Sequence, residues 1–350
     1  MSSESMSDGT PATPPRPPFD PDLVALLEPL SAQLPPLAPS GIAKAREAAE
    51  KMSLSRDQLR RSGSFQVEER TVVRRPDGFG VRLWICRPSA IDTAVPAIYH
   101  IHGGGMVMGD ATSGLDAMLD LAAELRVAVV SVEYRLAPEH PYPAGLEDCY
   151  TGLLWLVRHA AEAGIDPDRI VVEGTSSGGG LAAAVALMAR DRGGPALLGQ
   201  MLSCPMLDDR NDTPSSHQMT GVGLWDRTSN KTGWDALLEG RSGQPDVPAY
   251  AAPARARELS GLPPAFLDVG SAETFRDESV TYACRLWQAG GQAELHVWPG
   301  GFHGFAVMAP GVALSQDART AQKRWLLRLL GHPESTDGEL GGKQQLVQRR

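Results

Sequence analysis

The chain has 350 residues, enough to bury a large core in one domain or two. Lys and Arg total 33 against 42 Asp and Glu, a net charge of −9 that repels phosphate backbones and anionic lipid headgroups, so nucleic acid and membrane are poor partners. No run approaches the ~18–20 apolar residues that span a bilayer, and Met1–Pro18 lacks the apolar core of a secretory signal. The cysteines Cys86, Cys149, Cys204 and Cys284 are scattered without C-x-x-C spacing. They read as buried free thiols in a reducing cytoplasm rather than disulfides or metal ligands.

In chain order, residues 1–20 are Pro-rich and of low complexity, expected to be a disordered tail. Over 21–62 apolar residues recur at helical spacing, first Leu23, Leu26, Leu27 and Leu30, then Ile42, Ala45, Ala48, Ala49 and Met52. The Pro-rich break at 34–39 divides them into two helices, whose stripes must pack on something further along. Phe65–Arg74 and Val81–Arg87 flank Pro76-Asp77-Gly78 and read as an antiparallel hairpin.

From there the pattern changes. Short apolar runs at 97–101, 127–132, 170–172 and 266–270 suit parallel strands covered on both faces. Helical stretches at about 112–125, 143–164, 177–192, 277–289 and 315–331 separate them, which predicts a three-layer α/β sheet. Ala293, Leu295 and Val297 alternate with Glu294 and His296, as an edge strand does. The tail at 333–350 is polar and is expected to be flexible. Almost sixty residues between Pro205 and Pro264 exceed a connecting loop. They predict a helical cap, with its insertion at about 208–250, joined by the N-terminal helices over the carboxyl ends of the strands. Ligands bind open α/β sheets at those ends.

One stretch carries chemistry. Val171-Val172 runs into Gly174-Thr175-Ser176-Ser177-Gly178, and an Ala-rich helical run follows at once. Strand, sharp turn and helix with Ser176 at the apex form a nucleophile elbow, where the flanking glycines avoid collision with neighbouring backbone. Earlier, His102-Gly103-Gly104-Gly105 follows the first parallel strand. Its bare N–H groups are suited to hold a developing oxyanion together with the N–H of Ser177. The spacing fits neither nucleotide-binding glycine pattern.

Of eight histidines, His303 stands in a Gly-rich loop after the last strand, at the same sheet edge as the elbow. A neutral imidazole there takes the Ser176 proton and returns it to a leaving group. His100 and His296 lie in strands, His159 and His332 near helix ends, His217 in the cap and His140 in a loop; packing roles suit them better. An acid between Ser and His in chain order would orient the base, with Glu273, Asp277 and Glu278 as candidates after the strand at 265–270. Glu273 is nearest the strand end and is favoured; Asp277 opens a helix, an ordinary place for an acid. Met106, Met108, Met219, Leu224 and Trp225 serve either an acyl pocket or the core.

Together with Glu133-Tyr134-Arg135-Leu136-Ala137-Pro138-Glu139-His140-Pro141, Glu273-Thr274-Phe275-Arg276-Asp277-Glu278 and Gly301-Phe302-His303-Gly304-Phe305, these motifs resemble the hormone-sensitive lipase family of α/β-hydrolases. The resemblance runs from about Pro21 to Leu330, and the elbow is similar to that of the bacterial subgroup with Thr after its first Gly. It implies an α/β-hydrolase fold over 63–332, a mostly parallel twisted sheet with helices on both faces and a helical cap. It further implies a carboxylesterase for short to medium acyl chains, needing no cofactor and no metal. By position Ser176 is the nucleophile, His303 the base and Glu273 the acid, with Asp277 in reserve. Gly104, Gly105 and Ser177 are the oxyanion donors, and His102 braces the glycine loop. Ser177 stands where Ala is usual, and Glu273 where Asp is more frequent.

The expected partner is a small ester, with no stable membrane association. A homodimer through the edge strand near Gln292–Trp298 is the assembly to test. Rival readings are an amidase or lactonase on the same residues, a non-catalytic small-molecule receptor, and an interaction module using the tails.

Overall fold

The computed structural model describes residues 15–73 and 78–331. Most of the two expected tails, His332, and Pro76 and Asp77 of the expected turn lie outside the described residues. Eight strands form one sheet: β1 (Phe65–Val73), β2 (Gly80–Pro88), β3 (Val95–Ile101), β4 (Ala128–Glu133), β5 (Ile165–Thr175), β6 (Gly199–Ser203), β7 (Ala265–Gly270) and β8 (Ala293–Trp298). Their order is β1-β2-β4-β3-β5-β6-β7-β8, with β2 antiparallel to both neighbours and every pairing from β4 to β8 parallel. This is the mostly parallel α/β sheet that the motifs implied.

The helices are α1 (Pro21–Gln33), α2 (Ile42–Glu50), α3 (Arg56–Leu59), α4 (Leu115–Leu125), α5 (Ala144–Arg158), α6 (Ser177–Asp191), α7 (Pro214–Gln218), α8 (Arg227–Leu238), α9 (Arg276–Gln288), α10 (Phe305–Met308) and α11 (Ala313–Leu329). Strand side chains alternate, so Tyr99 and Val172 enter one core with α5, α6 and α9, while Ile98 and Val171 enter another with α4 and α11. Burial on both faces is why these strands read as unbroken Val/Ile runs. Helix α5 stops at Arg158, short of the expected 164, because sheet pairing wins locally. The Gly164 carbonyl accepts from Val95 N at 3.1 Å, and Gly164 at φ +63° turns the chain into β5.

The N-terminal helices pack where function is expected. Leu23 and Leu27 of α1 share a core with Phe302 and Phe305, on either side of His303, and burial of each contributes about 1.5–3 kcal/mol. Residues 15–20 lead into it: Asp20 accepts from Asp22 N and Leu23 N, capping α1, and its own N–H donates to Gly300 O at 3.0 Å. The link between α1 and α2 meets α8, since Leu37 N donates to Ser229 Oγ (2.8 Å) and Thr232 Oγ1 donates to Leu37 O (2.6 Å). Arg46 of α2 donates to the carbonyls of Val107 and Ala137 at 2.6 and 2.7 Å and pairs with Glu139.

Candidate active site

Ser176 sits between β5 and α6 with φ +61° and ψ −124°, a conformation rare for any L side chain and held only where the surroundings dictate it. Those surroundings are visible: a Cβ on Gly174 would strike the backbone of Gly178, and one on Gly178 the backbone of Ile101 and His102. The turn thrusts Ser176 Oγ to 3.0 Å from His303 Nε2. His303 Nδ1 lies 3.4 Å from Glu273 Oε2. Glu273 is 1% exposed, and its other oxygen accepts the backbone N–H of Phe275 at 3.1 Å, which aims the carboxylate at the imidazole. Phe275 meets the His303 ring edge-on with centroids 5.1 Å apart.

The other acids point elsewhere. Asp277 accepts from Ser215 N at 2.7 Å and pairs with Arg276. Glu278 accepts from Leu207 N and Asp208 N, and burial pushes its carboxyl well up. Both bind the 208–250 segment to α9. Thr274 ties the same segment down, its hydroxyl donating to Trp225 O at 2.6 Å.

Gly104 and Gly105 have φ of +117° and +61°, turning their N–H groups away from local pairing. Neither these nor Ser177 N donates a hydrogen bond within the described residues. Beside them His102 is fully buried, stacked on Tyr134 at 4.1 Å, with Nδ1 donating to Gly103 O at 2.8 Å. Burial drops its pKa to about 4, so it stays neutral and fixes the loop as a hydrogen-bond donor. Tyr134 OH donates to His102 O at 2.9 Å, and Arg135 grips Asp148 with two bonds of 2.7 Å. The motif at 133–141 and Asp148 thus hold backbone in place.

A cavity of about 850 Å³ opens at Ser176 and continues between α4 and α11. Met108, Leu224 and Trp225 line it, whereas Met106 and Met219 are core residues. Its floor holds groups with no local sequence signature. His100 on β3 and Glu173 on β5 are register partners whose side chains pair, both almost fully buried. Burial pulls the His100 imidazole down, but the Glu173 carboxylate and Ser113 O more than offset it, and the pKa ends raised. Asp268 is pushed up to about 6 by burial, against hydrogen bonds to Oδ2 from Trp298 and Gln322. Cys204, just past β6, lies against the catalytic candidates at φ +36°. Three-dimensional neighbours from different strands leave no motif, so only the sheet order exposes them.

Such a sheet, elbow and Ser–His–carboxylate line define a serine hydrolase. The chain belongs to the alpha/beta hydrolase fold family, whose sequence pattern matches residues 98–307. It is 34% identical over 304 residues to carboxylesterase NlhH of Mycobacterium tuberculosis, a match covering 85% of this chain and 93% of that one. Among solved structures it is similar to a bacterial heroin esterase, with TM-score 0.82 and 38% identity over 89% of this chain and 98% of that one. A hyperthermophilic esterase from Pyrobaculum calidifontis gives TM-score 0.77 and 31% identity, covering 89% of this chain and 99% of that one.

Proposed function

We infer that this chain is a carboxylesterase in which Ser176, His303 and Glu273 form the catalytic triad. The observation that carries the reading is Ser176 Oγ 3.0 Å from His303 Nε2 on a turn built to expose it. His303 takes the hydroxyl proton as Ser176 attacks the ester carbonyl, and Glu273 steadies the imidazolium that forms. Gly104, Gly105 and Ser177 offer their N–H groups to the oxyanion; losing one such donor typically costs on the order of 10²–10³ in rate. The alcohol leaves with the proton from His303. A water activated by the same imidazole then releases the acid and restores Ser176.

Residues 21–62 and 208–250 act as the cap, a role supported by their mutual hydrogen bonds at Leu37 and by Trp225 in the cavity wall. The cavity volume suits a small ester, and short to medium acyl chains are the substrates proposed. No helix among the described residues is long and apolar enough to cross a membrane. Buried thiols at Cys86, Cys149 and Cys204 support a cytoplasmic setting. The edge strand β8 supports pairing with a second copy, which a dimer mass in light scattering tests.

The deciding experiment is hydrolysis of p-nitrophenyl esters from acetate to palmitate. Turnover peaks at short to medium chains and falls by several orders of magnitude in Ser176→Ala. Folded wild type that hydrolyses none of the series overturns the ester reading and directs attention to amides and lactones.

A further inference from the structure

Among the described residues, one group of His, Cys, Asp and Glu side chains converges to metal-ligand spacing: Cys204, Glu273 and His303, whose ligand atoms all lie within 4.8 Å of one another. We propose that these three residues form a binding site for a thiophilic divalent cation, with Zn²⁺ as the reference ion, and that its occupation switches the esterase off. The inhibitory half rests on His303 as catalytic base; the binding half does not.

The donors suit the ion. Zn²⁺ takes thiolate, imidazole and carboxylate in tetrahedral sites, and three protein ligands with water in the fourth place is a common set. Two of the three donors are already short of partners. Glu273 Oε2 and His303 Nδ1 are buried atoms without a hydrogen bond at the 3.4 Å they keep from one another. The third donor is within reach of solvent, because Cys204, although 7% exposed, lines the cavity that opens at Ser176.

Charge favours a divalent ion over a monovalent one. A thiolate and the Glu273 carboxylate neutralise Zn²⁺ within a buried site, where an unbalanced charge would be costly. Binding is a simple exchange: the Cys204 S–H bond breaks, its proton passes to the buffer, and the sulfur electron pair goes to the metal. Hard ions such as Mg²⁺ prefer oxygen and retain their water, so they do not compete. A bound ion withdraws His303 or Glu273 from the proton relay that ester hydrolysis needs.

The test uses the full chain freed of metal with a chelator and then titrated with Co²⁺ and with Zn²⁺. Co²⁺ should give a thiolate-to-metal charge-transfer band that saturates at one ion per chain, and Zn²⁺ should displace it while abolishing ester turnover. The zinc response of Cys204→Ala and Cys204→Ser is measured against each variant's own metal-free turnover. Both should lose the band and need at least about 10–100-fold more Zn²⁺ for inhibition, since disturbing even an outer partner of a metal costs that much. Two substitutions guard against one that fails to fold. No band in wild type, or the same zinc sensitivity as wild type in both variants, overturns the site. A saturating band with turnover untouched overturns the inhibitory half. If His303→Ala retained turnover, the triad reading would fail while the Co²⁺ band of wild type still decided the site.

Discussion

Among the described residues, two of the Glu–His pairs are built for opposite purposes. Glu173 and His100 face each other across β5 and β3, sealed in the sheet, and the second ring nitrogen of His100 meets Ser113 O at 2.9 Å. Both nitrogens meet acceptors, so the charged imidazolium satisfies every partner. Glu273 and His303 sit on loops beyond the strand ends, 3.4 Å apart, and the far nitrogen of His303 meets the Ser176 hydroxyl instead. There one nitrogen faces a carboxylate and the other a hydroxyl that can donate as well as accept. One imidazole is placed to keep a proton and the other to pass one on. The same two residue types become scaffold or machinery according to what the second nitrogen faces.

That contrast breaks most sharply at the nucleophile. Ser176→Ala should lower kcat by about 10⁴–10⁶, with an unchanged melting curve, measured on a short-chain ester. Next, Glu273→Gln should cost about 10⁴ in kcat, by favouring the wrong imidazole tautomer. Asp277→Asn should leave kcat within a few-fold, because that side chain faces Ser215 rather than His303. Equal losses in the two acid variants would mean the carboxylates are misassigned.

In the sheet the currency changes from rate to stability. Glu173→Gln should destabilise the fold by about 3–5 kcal/mol, the typical cost of leaving one partner of a buried pair, while the folded fraction keeps its activity. The His100 pKa is raised from 6.5, so the stability it contributes is fully present below that value and is lost as pH rises through the folded pKa. Urea melts from about pH 6 to about pH 9 should therefore show the gap between wild type and Glu173→Gln closing as pH increases. A gap that widens would break the comparison. The smallest effect is expected at Asp268. Its pKa of about 6 means that the ionised form weakens the fold above that pH, and the penalty vanishes as pH falls below the unfolded value near 3.8. Asp268→Asn, with its oxygen still accepting from Gln322 and Trp298, should melt higher than wild type at pH 8 and nearly equal at pH 4.

What could be read from the chain follows the same division. The elbow was legible because its constraints lie within five consecutive residues, and the glycine loop because a run of three glycines leaves backbone N–H groups free of side chains. The parallel strands were legible because burial on both faces leaves long Val/Ile runs. Glu273 could be favoured over Asp277 only by position, since the choice turns on side-chain direction just past a strand end. The pairing of His100 with Glu173 was out of reach. It depends on β3 lying beside β5, and a separation of 73 positions along the chain hides that adjacency. Cys204 came close to His303 for the same reason, through neighbouring strand ends rather than any spacing.

The contact between Gly105 and Trp225 has a further consequence, for how this molecule can change. A Cβ on residue 105 would fall inside the Trp225 indole, although the two lie in different segments of the chain. Gly105→Ala alone should therefore be harmful, and a smaller residue at 225 should remove most of that harm. The remainder is the cost of holding a side chain at φ +61°, about 1–2 kcal/mol. Position 105 is not free to vary by itself: its substitutions depend on residue 225, and a library that samples the two one at a time discards the combinations that reshape the pocket.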